Sequence, residues 1–202
     1  TKEINERYMM NLDTINFGGG FGIEYYKGDE KVNLEEMLTS LVKKVEEETK
    51  NNNCAINHIM IEPGRSIVGP ACLTLYECGI LKKTIGGKNF LFIDGGMTDN
   101  IRPALYEAKY QAIPVSRVES NQLVNCDIVG KCCESGDFII KDASIPLTKP
   151  GEYLAVFQTG AYNYSMHVEY NGHLRPLVLF VGDEVKVVSK RQTIDHILEL
   201  FK

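Results

Sequence analysis

The sequence has no surplus of positive charge and no long apolar run. Its 202 residues include 22 Lys and Arg against 27 Asp and Glu, which gives a formal net charge of -5. Nucleic-acid binding needs a surplus of cations to neutralise phosphates, so this balance argues against such a partner. The longest apolar runs, NFLFI (89–93) and LVLFV (177–181), are far shorter than the ~20 residues that span a membrane. The charged start, TKEINERYMM, lacks the apolar core of a signal peptide, so we expect no membrane partner.

The six cysteines form neither a disulfide pattern nor a metal-binding pattern. Their spacing is irregular, and a chain of this length can bury a core without disulfides. There is no C-x-x-C pair, and no histidine lies at a zinc-ligand spacing beside a cysteine pair. We therefore expect reduced thiols, no metal site and a cytoplasmic location.

The first third of the chain alternates strand and helix patterns. LDTINF (12–17) predicts a short strand that ends at the glycine run GGGFG (18–22). Apolar residues then recur every three or four positions within 32–53, which predicts one face of a helix. INHIMIEPGR (56–65) predicts a buried strand that stops at Pro63 and Gly64. Strand, helix and strand in this order indicate a parallel sheet or a barrel.

After about Ala71 the pattern changes to short β-branched or aromatic segments separated by turn residues. This alternation predicts a mostly antiparallel β domain, and TIDHILELF (193–201) predicts a terminal amphipathic helix. The segments are CLTLYECGILKKT, NFLFIDGG, IPVSRV, CDIVGKCC, DFIIKD, EYLAVF and RPLVLFVGDEVKVV. We therefore predict an α/β part over residues 1–71 and an all-β domain over residues 72–202. A whole (β/α)₈ barrel takes ~250 residues, so any barrel here is only its tail.

Glycines and charged residues follow both predicted strands of the first part. Gly18, Gly19 and Gly20 would let the backbone approach a ligand and direct N–H groups at an anion such as phosphate. A dinucleotide fingerprint fails at its third glycine, and a plain turn stays the alternative. Glu62 and Arg65 stand at the C-terminal end of the next strand, where α/β active sites collect. A surface ion pair on a loop is the alternative for these two.

Three further stretches combine turn residues with side chains that carry chemistry. FIDGGMTDNIRPALYEA (92–108) predicts an apolar strand, then a helix starting near Asp99 on which Arg102 and Tyr106 share a face. GAYNYSM (160–166) places Tyr162 after another apolar strand. KCCESGD (131–137) joins two thiols to a carboxylate, and taken alone it fits a metal site, a disulfide, a nucleophile or a buried turn.

Taken in order, GGGFGI, EPGRSIVG, IDGGMTDNIRPALY, CESGD and GAYNYSM resemble the diaminopimelate decarboxylase family. That family lies within the pyridoxal-phosphate decarboxylases of the alanine-racemase-like fold. The resemblance covers nearly the whole chain, and five motifs in the family's order make it specific. It implies the C-terminal part of a (β/α)₈ barrel that binds pyridoxal 5'-phosphate, followed by a mainly antiparallel β-sandwich or β-barrel domain. It also implies decarboxylation of meso-diaminopimelate to L-lysine and carbon dioxide, the last step of lysine biosynthesis.

The resemblance implies a role for each cofactor-binding residue. The glycines at 18 to 20 would hold the cofactor phosphate. Glu62 would keep the pyridine nitrogen protonated, so that the ring can withdraw electrons from the reacting carbon. Pro63, Gly64 and Arg65 complete the same motif, and Tyr162 would contact both cofactor and substrate.

The resemblance also implies how the substrate is held and where the proton comes from. Arg65, Arg102 and Tyr106 would bind the substrate, because guanidinium groups match carboxylates in a two-pronged geometry. Cys133 would give a proton to the decarboxylated carbon, and Glu134 would bind the distal ammonium group. In this family the loop reaches the neighbouring subunit, which implies a homodimer with shared active sites. A buried structural thiol is the alternative for Cys133.

One departure from the family pattern is that its cofactor-binding lysine belongs to an early barrel strand that these 202 residues do not contain. We expect the chain alone neither to bond the cofactor covalently nor to turn over substrate. Related decarboxylases acting on ornithine, arginine or carboxynorspermidine are an alternative, although they usually carry Asp at the position of Glu134. A non-catalytic homologue that binds a partner is another alternative.

Overall fold

The computed structural model describes residues 1–116 and 121–202, and it divides into two compact units, Thr1–Ala71 and Cys72–Lys202. The α-helices are Lys2–Tyr8 (α1), Leu34–Asn51 (α2), Arg65–Val68 (α3), Arg102–Tyr106 (α4) and Ile194–Leu198 (α5), with 3-10 turns at Gly69–Ala71, Tyr170–Gly172 and Glu199–Phe201. The strands are Thr14–Asn16 (β1), His58–Met60 (β2), Leu73–Lys83 (β3), Asn89–Ile93 (β4), Ala112–Pro114 (β5), Leu123–Val129 (β6), Phe138–Pro146 (β7), Tyr153–Phe157 (β8), Val178–Val181 (β9) and Val185–Ser189 (β10). Within the described ranges, every helix is too short or too polar to cross a bilayer.

The first unit contains a strand, helix, strand arrangement, as predicted. β1 and β2 pair in parallel, with Ile15 opposite Ile59. Parallel strands need a long crossover, and the 18-residue helix α2 supplies it. Asn33 caps this helix because its side chain accepts the N–H of Glu36, which leaves one fewer unpaired donor at the first turn.

The prediction that the second strand is buried is wrong. β2 covers only His58–Met60, and all three residues are exposed. Its sheet has two strands, so β2 has a single neighbour within this unit. An apolar sequence alone cannot distinguish a strand covered on both faces from one whose faces are open.

The second unit is built on a six-stranded sheet in the order β5-β8-β3-β4-β6-β7. Four of its five pairings are antiparallel, so the prediction of a mostly antiparallel sheet is confirmed. The exception is β4 with β6, which run parallel with Phe92 opposite Val129. The edge strands β5 and β7 pack against each other, so the sheet nearly closes on itself. Leu91, Ile128 and Leu154 are fully buried in its core.

Three predicted boundaries change in this unit. The strand expected over 126–133 ends at Val129, because the backbone turns there and the N–H of Cys132 bonds to the carboxylate of Asp137. The helix expected to start near Asp99 begins at Arg102, because Asp99 instead accepts the N–H of Gly96 in a turn. Of the strand predicted over 113–118, residues 113 and 114 belong to β5, and residues 117 and 118 lie outside the described ranges.

The end of the chain forms the predicted terminal helix, and the β segment predicted before it forms a hairpin. β9 and β10 pair antiparallel, and α5 begins after Thr193 with a capping box that includes the His196 side chain. Most apolar side chains of this region are exposed within the unit, including Phe180 and Phe201.

We expect Leu91→Ala to lower the free energy of unfolding by about 2–5 kcal/mol, because it leaves a cavity in the core of the sheet. Leu91 has no exposed surface, whereas Leu75, in the same sheet, is 56% exposed. Leu75→Ala is therefore the matched control and should cost much less. Urea unfolding of the three proteins measures the difference, and equal losses would contradict the described core.

Candidate functional site

Asn16 connects the glycine loop to Glu62. Its side-chain amide donates to the Glu62 carboxylate at 2.6 Å, and its side-chain oxygen accepts the N–H of Gly18 at 2.8 Å. The backbone N–H of Glu62 also donates to the carbonyl oxygen of Gly18 at 2.6 Å. The two predicted motifs of the first unit therefore form one hydrogen-bonded cluster. The sequence prediction missed Asn16, although a polar residue ending a strand before three glycines is a signal that could have found it.

The three glycines are required for two different reasons. A Cβ atom at Gly19 would lie 2.4 Å from the backbone oxygen of Glu62, so only glycine lets the two backbones approach this closely. Gly18 and Gly20 have φ angles of +68° and +86°, in the left-handed region that favours glycine, with open space where a Cβ would be. In this loop the backbone of Gly19 packs closely against that of Glu62, which a plain turn, the alternative considered, would not require.

Arg65 carries a buried donor without a partner. It lies at the start of α3, three residues after Glu62, and its guanidinium carbon is 5.9 Å from the ring centre of Tyr25. Among the residues that the structure describes, none hydrogen-bonds to the buried Nε atom of Arg65. Leaving a buried donor unpaired costs about 1–3 kcal/mol, more for a charged group. Such an atom is suited to an anionic ligand.

In the second unit, Arg102 lies between two tyrosines. Its guanidinium carbon is 5.4 Å from the ring centre of Tyr106 and 5.3 Å from that of Tyr162. Arg102 is only 8% exposed, and its Nε donates to the hydroxyl of Tyr110 at 3.1 Å. Tyr162 has a φ of +72°, a strained conformation for a residue with a side chain. The structure thus brings together Arg102, Tyr106 and Tyr162. It adds Tyr110, which no motif in the sequence indicates.

The loop after β6 carries the thiol and the carboxylate singled out in the sequence. Cys133 is exposed, so the alternative of a buried structural thiol is wrong. The six cysteines are all free. The hydroxyl of Tyr170 donates to the carboxylate of Glu134 at 2.5 Å, and this bond is the main cause that raises the pKa of Tyr170. Tyr170 was not predicted, because it lies 36 residues away in an unremarkable segment.

A buried polar cluster supports the segment that leads to Arg102. Burial raises the pKa of Asp99 to about 6, and burial also lowers the pKa of His167. The Nε2 atom of His167 lies 3.7 Å from Oδ1 of Asp99, and Nδ1 of His173 lies 3.0 Å from the hydroxyl of Thr98. Both pKa shifts favour the neutral forms, so the contact between Asp99 and His167 is mainly polar packing and only weakly an ion pair.

A cavity of about 340 Å³ borders the loop after β6. Its walls are mainly apolar, with Glu134 and Asp137 among the lining residues. It is lined by Lys82, Thr84, Phe90, Phe92, Val129, Gly130, Cys132, Glu134, Ser135, Asp137 and Phe138. Cys133 is not among these residues, so this cavity does not include the exposed thiol.

The predicted residues therefore fall into three groups, each with its own geometry. The glycine loop, Glu62 and Arg65 belong to the first unit, whereas the arginine–tyrosine cluster and the Cys133 loop belong to the second. A glycine loop and an acid at the ends of parallel strands, joined to a β unit that presents an arginine and a thiol, are typical of one class of cofactor-dependent enzymes.

Comparison with known families identifies this class. Residues 1–69 match the family described as "Pyridoxal-dependent decarboxylase, pyridoxal binding domain". Residues 70–160 match the family described as "Pyridoxal-dependent decarboxylase, C-terminal sheet domain". The two matches follow one another without a gap, and the chain belongs to the pyridoxal-dependent decarboxylases.

Within that family, the chain is similar to proteins named diaminopimelate decarboxylase. That of Bacillus subtilis (strain 168) is 44% identical over 199 residues, which are 98% of this chain and 45% of the relative. That of Staphylococcus aureus (strain COL) is 45% identical over 191 residues, 94% of this chain and 45% of the relative. The solved structure of the Helicobacter pylori diaminopimelate decarboxylase complexed with L-lysine matches with a TM-score of 0.84 at 30% identity, over 98% of this chain and 47% of that one. The chain spans about half the length of the curated relatives it matches.

We expect the pKa of Tyr170 to fall toward the ordinary value for tyrosine when Glu134 is replaced by Gln, because the negative carboxylate that favours the protonated phenol is removed. NMR of the chain with ¹³C-labelled tyrosine measures this pKa, and Tyr170→Phe assigns the signal. Glu169→Gln, which removes the neighbouring carboxylate, is the matched control. An unchanged pKa in the Glu134→Gln variant would rule out the described contact.

We also expect Asp99→Asn to become more stable relative to the wild type as the pH rises from about 4 to about 6. The pKa of Asp99 is about 6 in the fold and 3.8 in its ordinary state, so burying the charged form destabilises the native protein above pH 6. The relative gain should approach about 3 kcal/mol. Denaturant unfolding across this pH range measures it. The exposed Asp183→Asn control should show no such trend, and a flat difference for Asp99→Asn would contradict the shift.

Proposed function

We propose that this chain is part of an enzyme that uses pyridoxal 5'-phosphate to convert meso-2,6-diaminopimelate into L-lysine and carbon dioxide. The observation that carries the proposal is the succession of the two family matches over residues 1–69 and 70–160, in a chain that contains the five motifs in the family's order. Relatives of that name at 44% and 45% identity support the choice of substrate.

The residues of the first unit fit a pyridoxal phosphate group. The glycine loop gives a backbone surface that a Cβ at Gly19 would disrupt, and Gly18 and Gly20 leave open space beside it. The unpaired Nε of Arg65 is a further donor for an anion. We assign the three glycines to the phosphate, and Glu62, with Pro63, Gly64 and Arg65, to the rest of the cofactor.

When bound, the cofactor supplies an electron-withdrawing ring that stabilises the carbanion left by loss of carbon dioxide. Glu62 holds a proton at the pyridine nitrogen, and Asn16 fixes the orientation of the Glu62 carboxylate through its 2.6 Å hydrogen bond. Without Asn16, an exposed glutamate would sample several rotamers and hold that proton less well.

The residues of the second unit bind substrate and return a proton. Arg102 binds the substrate, because guanidinium groups pair with carboxylates through two parallel hydrogen bonds, and Arg65 of the first unit is assigned the same kind of role. Tyr106 and Tyr162 flank the Arg102 guanidinium and limit its orientation. Cys133 donates the proton from its Sγ atom, and Glu134, oriented by Tyr170, binds the distal ammonium group. Tyr162 also contacts the cofactor.

The finer architecture belongs to the same proposal. The first unit is the C-terminal portion of a (β/α)₈ barrel, and the second is the β-sandwich or barrel domain with its terminal helix. The exposed faces of β2 support this, because strands of a complete barrel are covered on both sides. The active unit is a homodimer with shared active sites, in the cytoplasm.

An assay of the full-length protein that contains this sequence tests the function. It should release carbon dioxide from meso-diaminopimelate and form L-lysine, and it should form no putrescine from ornithine. Putrescine formation would favour the ornithine-type alternative. If the protein turns over neither substrate but captures a partner protein, a non-catalytic homologue is favoured. The 202-residue chain alone, incubated with pyridoxal phosphate and reduced, should show no stoichiometric attachment of the cofactor at a single lysine.

We expect Cys133→Ala in the full-length protein to lower kcat by about 10²–10⁴, the range for loss of a positioned general acid. Cys72→Ala is the matched control, because Cys72 is also an exposed free thiol of the second unit and has no assigned role. Lysine formation under saturating substrate measures kcat. Similar activity of the two variants would remove Cys133 from the proposed mechanism.

A further inference from the structure

We propose that Asp137 is the positioning residue of the proton-donor loop: its buried carboxylate bonds the loop that carries Cys133 and Glu134 to the loop that leads to Arg102. The role of the two loops rests on the proposed function, whereas the bond between them rests on the geometry alone. In this proposal Asp137 acts by holding the loops and does not itself contact substrate or cofactor.

The Asp137 carboxylate accepts hydrogen bonds from both loops. Its Oδ1 accepts the N–H of Met97 at 2.6 Å, and its Oδ2 accepts the N–H of Cys132 at 2.8 Å. Met97 belongs to the loop after β4, and Cys132 belongs to the loop after β6. Asp137 is only 4% exposed, so both bonds are shielded from water and are charge-assisted. One side chain therefore fixes the backbone directly before Cys133.

Two glycines make room for this carboxylate. A Cβ at Gly96 would lie 2.6 Å from Oδ1 of Asp137, and a Cβ at Gly130 would lie 2.2 Å from Oδ2. Each loop therefore omits a side chain where the carboxylate lies. This close fit on both sides distinguishes Asp137 from an acid that happens to lie near a loop.

One backbone bond joins the two loops, and a second closes the loop after β6. The N–H of Lys131 donates to the carbonyl oxygen of Gly95 at 3.2 Å, and the N–H of Gly130 donates to the carbonyl oxygen of Asp137 at 3.0 Å. These bonds are longer than those to the carboxylate. Loss of the carboxylate would leave the loops joined near their strand ends, by the Lys131–Gly95 bond and the β4–β6 pairing, while the amides of Met97 and Cys132 lose their acceptor.

Asparagine is the informative substitution at this position. Asp137→Asn keeps the shape but replaces one acceptor oxygen by an NH₂ donor, which cannot accept the remaining backbone N–H. One of the two bonds is lost, and the loop can move while the sheet keeps its core. Asp183→Asn, at an exposed aspartate of the same unit, is the matched control.

Hydrogen exchange of the 202-residue chain tests the bond between the loops without any need for activity. The amides of Met97 or Cys132, or both, should exchange at least about tenfold faster in Asp137→Asn than in the wild type, while core amides of β3 and β8 keep their rates. Equal acceleration across the whole unit, or none at these two amides, would overturn the proposal. If the variant does not fold, the wild type decides: Met97 and Cys132 must be protected at least about tenfold more than Ser135.

Kinetics of the full-length protein then test the positioning role. Asp137→Asn should lower kcat at saturating substrate at least about tenfold with the cofactor still bound, and Asp183→Asn should not. Unchanged kcat together with fast exchange at Met97 and Cys132 would reduce Asp137 to a structural residue and overturn its positioning role. If the wild type itself has no decarboxylase activity, the proposed function fails, and the exchange result still decides whether Asp137 joins the two loops.

Discussion

The parallel pairing of β4 with β6 is the constraint on which the arrangement of the second unit depends. Every other pairing in the six-stranded sheet is antiparallel. Since parallel strands end at the same edge of a sheet, the loops after β4 and β6 emerge side by side. One loop leads to Arg102 and the other carries Cys133. Reversing either strand would separate them by the length of the strand.

Much of the chain could be predicted because local patterns dominate it. The helix α2 follows from apolar spacing and a capping asparagine, and the hairpin of β9 and β10 follows from two β-branched runs around Gly182 and Asp183. The direction in which two strands pair is set by contacts far apart in the sequence, so the parallel pair could not be predicted. The exposure of β2 was missed for the same reason, because burial depends on neighbours that a single segment does not reveal.

The residues proposed to carry the chemistry were easier to pick out from the sequence than the residues that hold them. Glu62, Arg102 and Cys133 belong to motifs, which can be recognised from short stretches of sequence. Asn16, Tyr110 and Tyr170 act through hydrogen bonds to partners that the fold brings close. Their spacing from those partners follows no rule. Asp137 lay within a motif, yet nothing in the string CESGD indicates that its carboxylate faces two backbone amides.

In the glycine loop, three identical residues are needed for different structural reasons. At Gly19 the limit is space, whereas at Gly18 and Gly20 the limit is backbone conformation with open space alongside. Asparagine tolerates the left-handed conformation better than other residues with side chains. Evolutionary drift in this loop should therefore be uneven: the outer two positions can admit asparagine in distant homologues, while the central one admits no side chain.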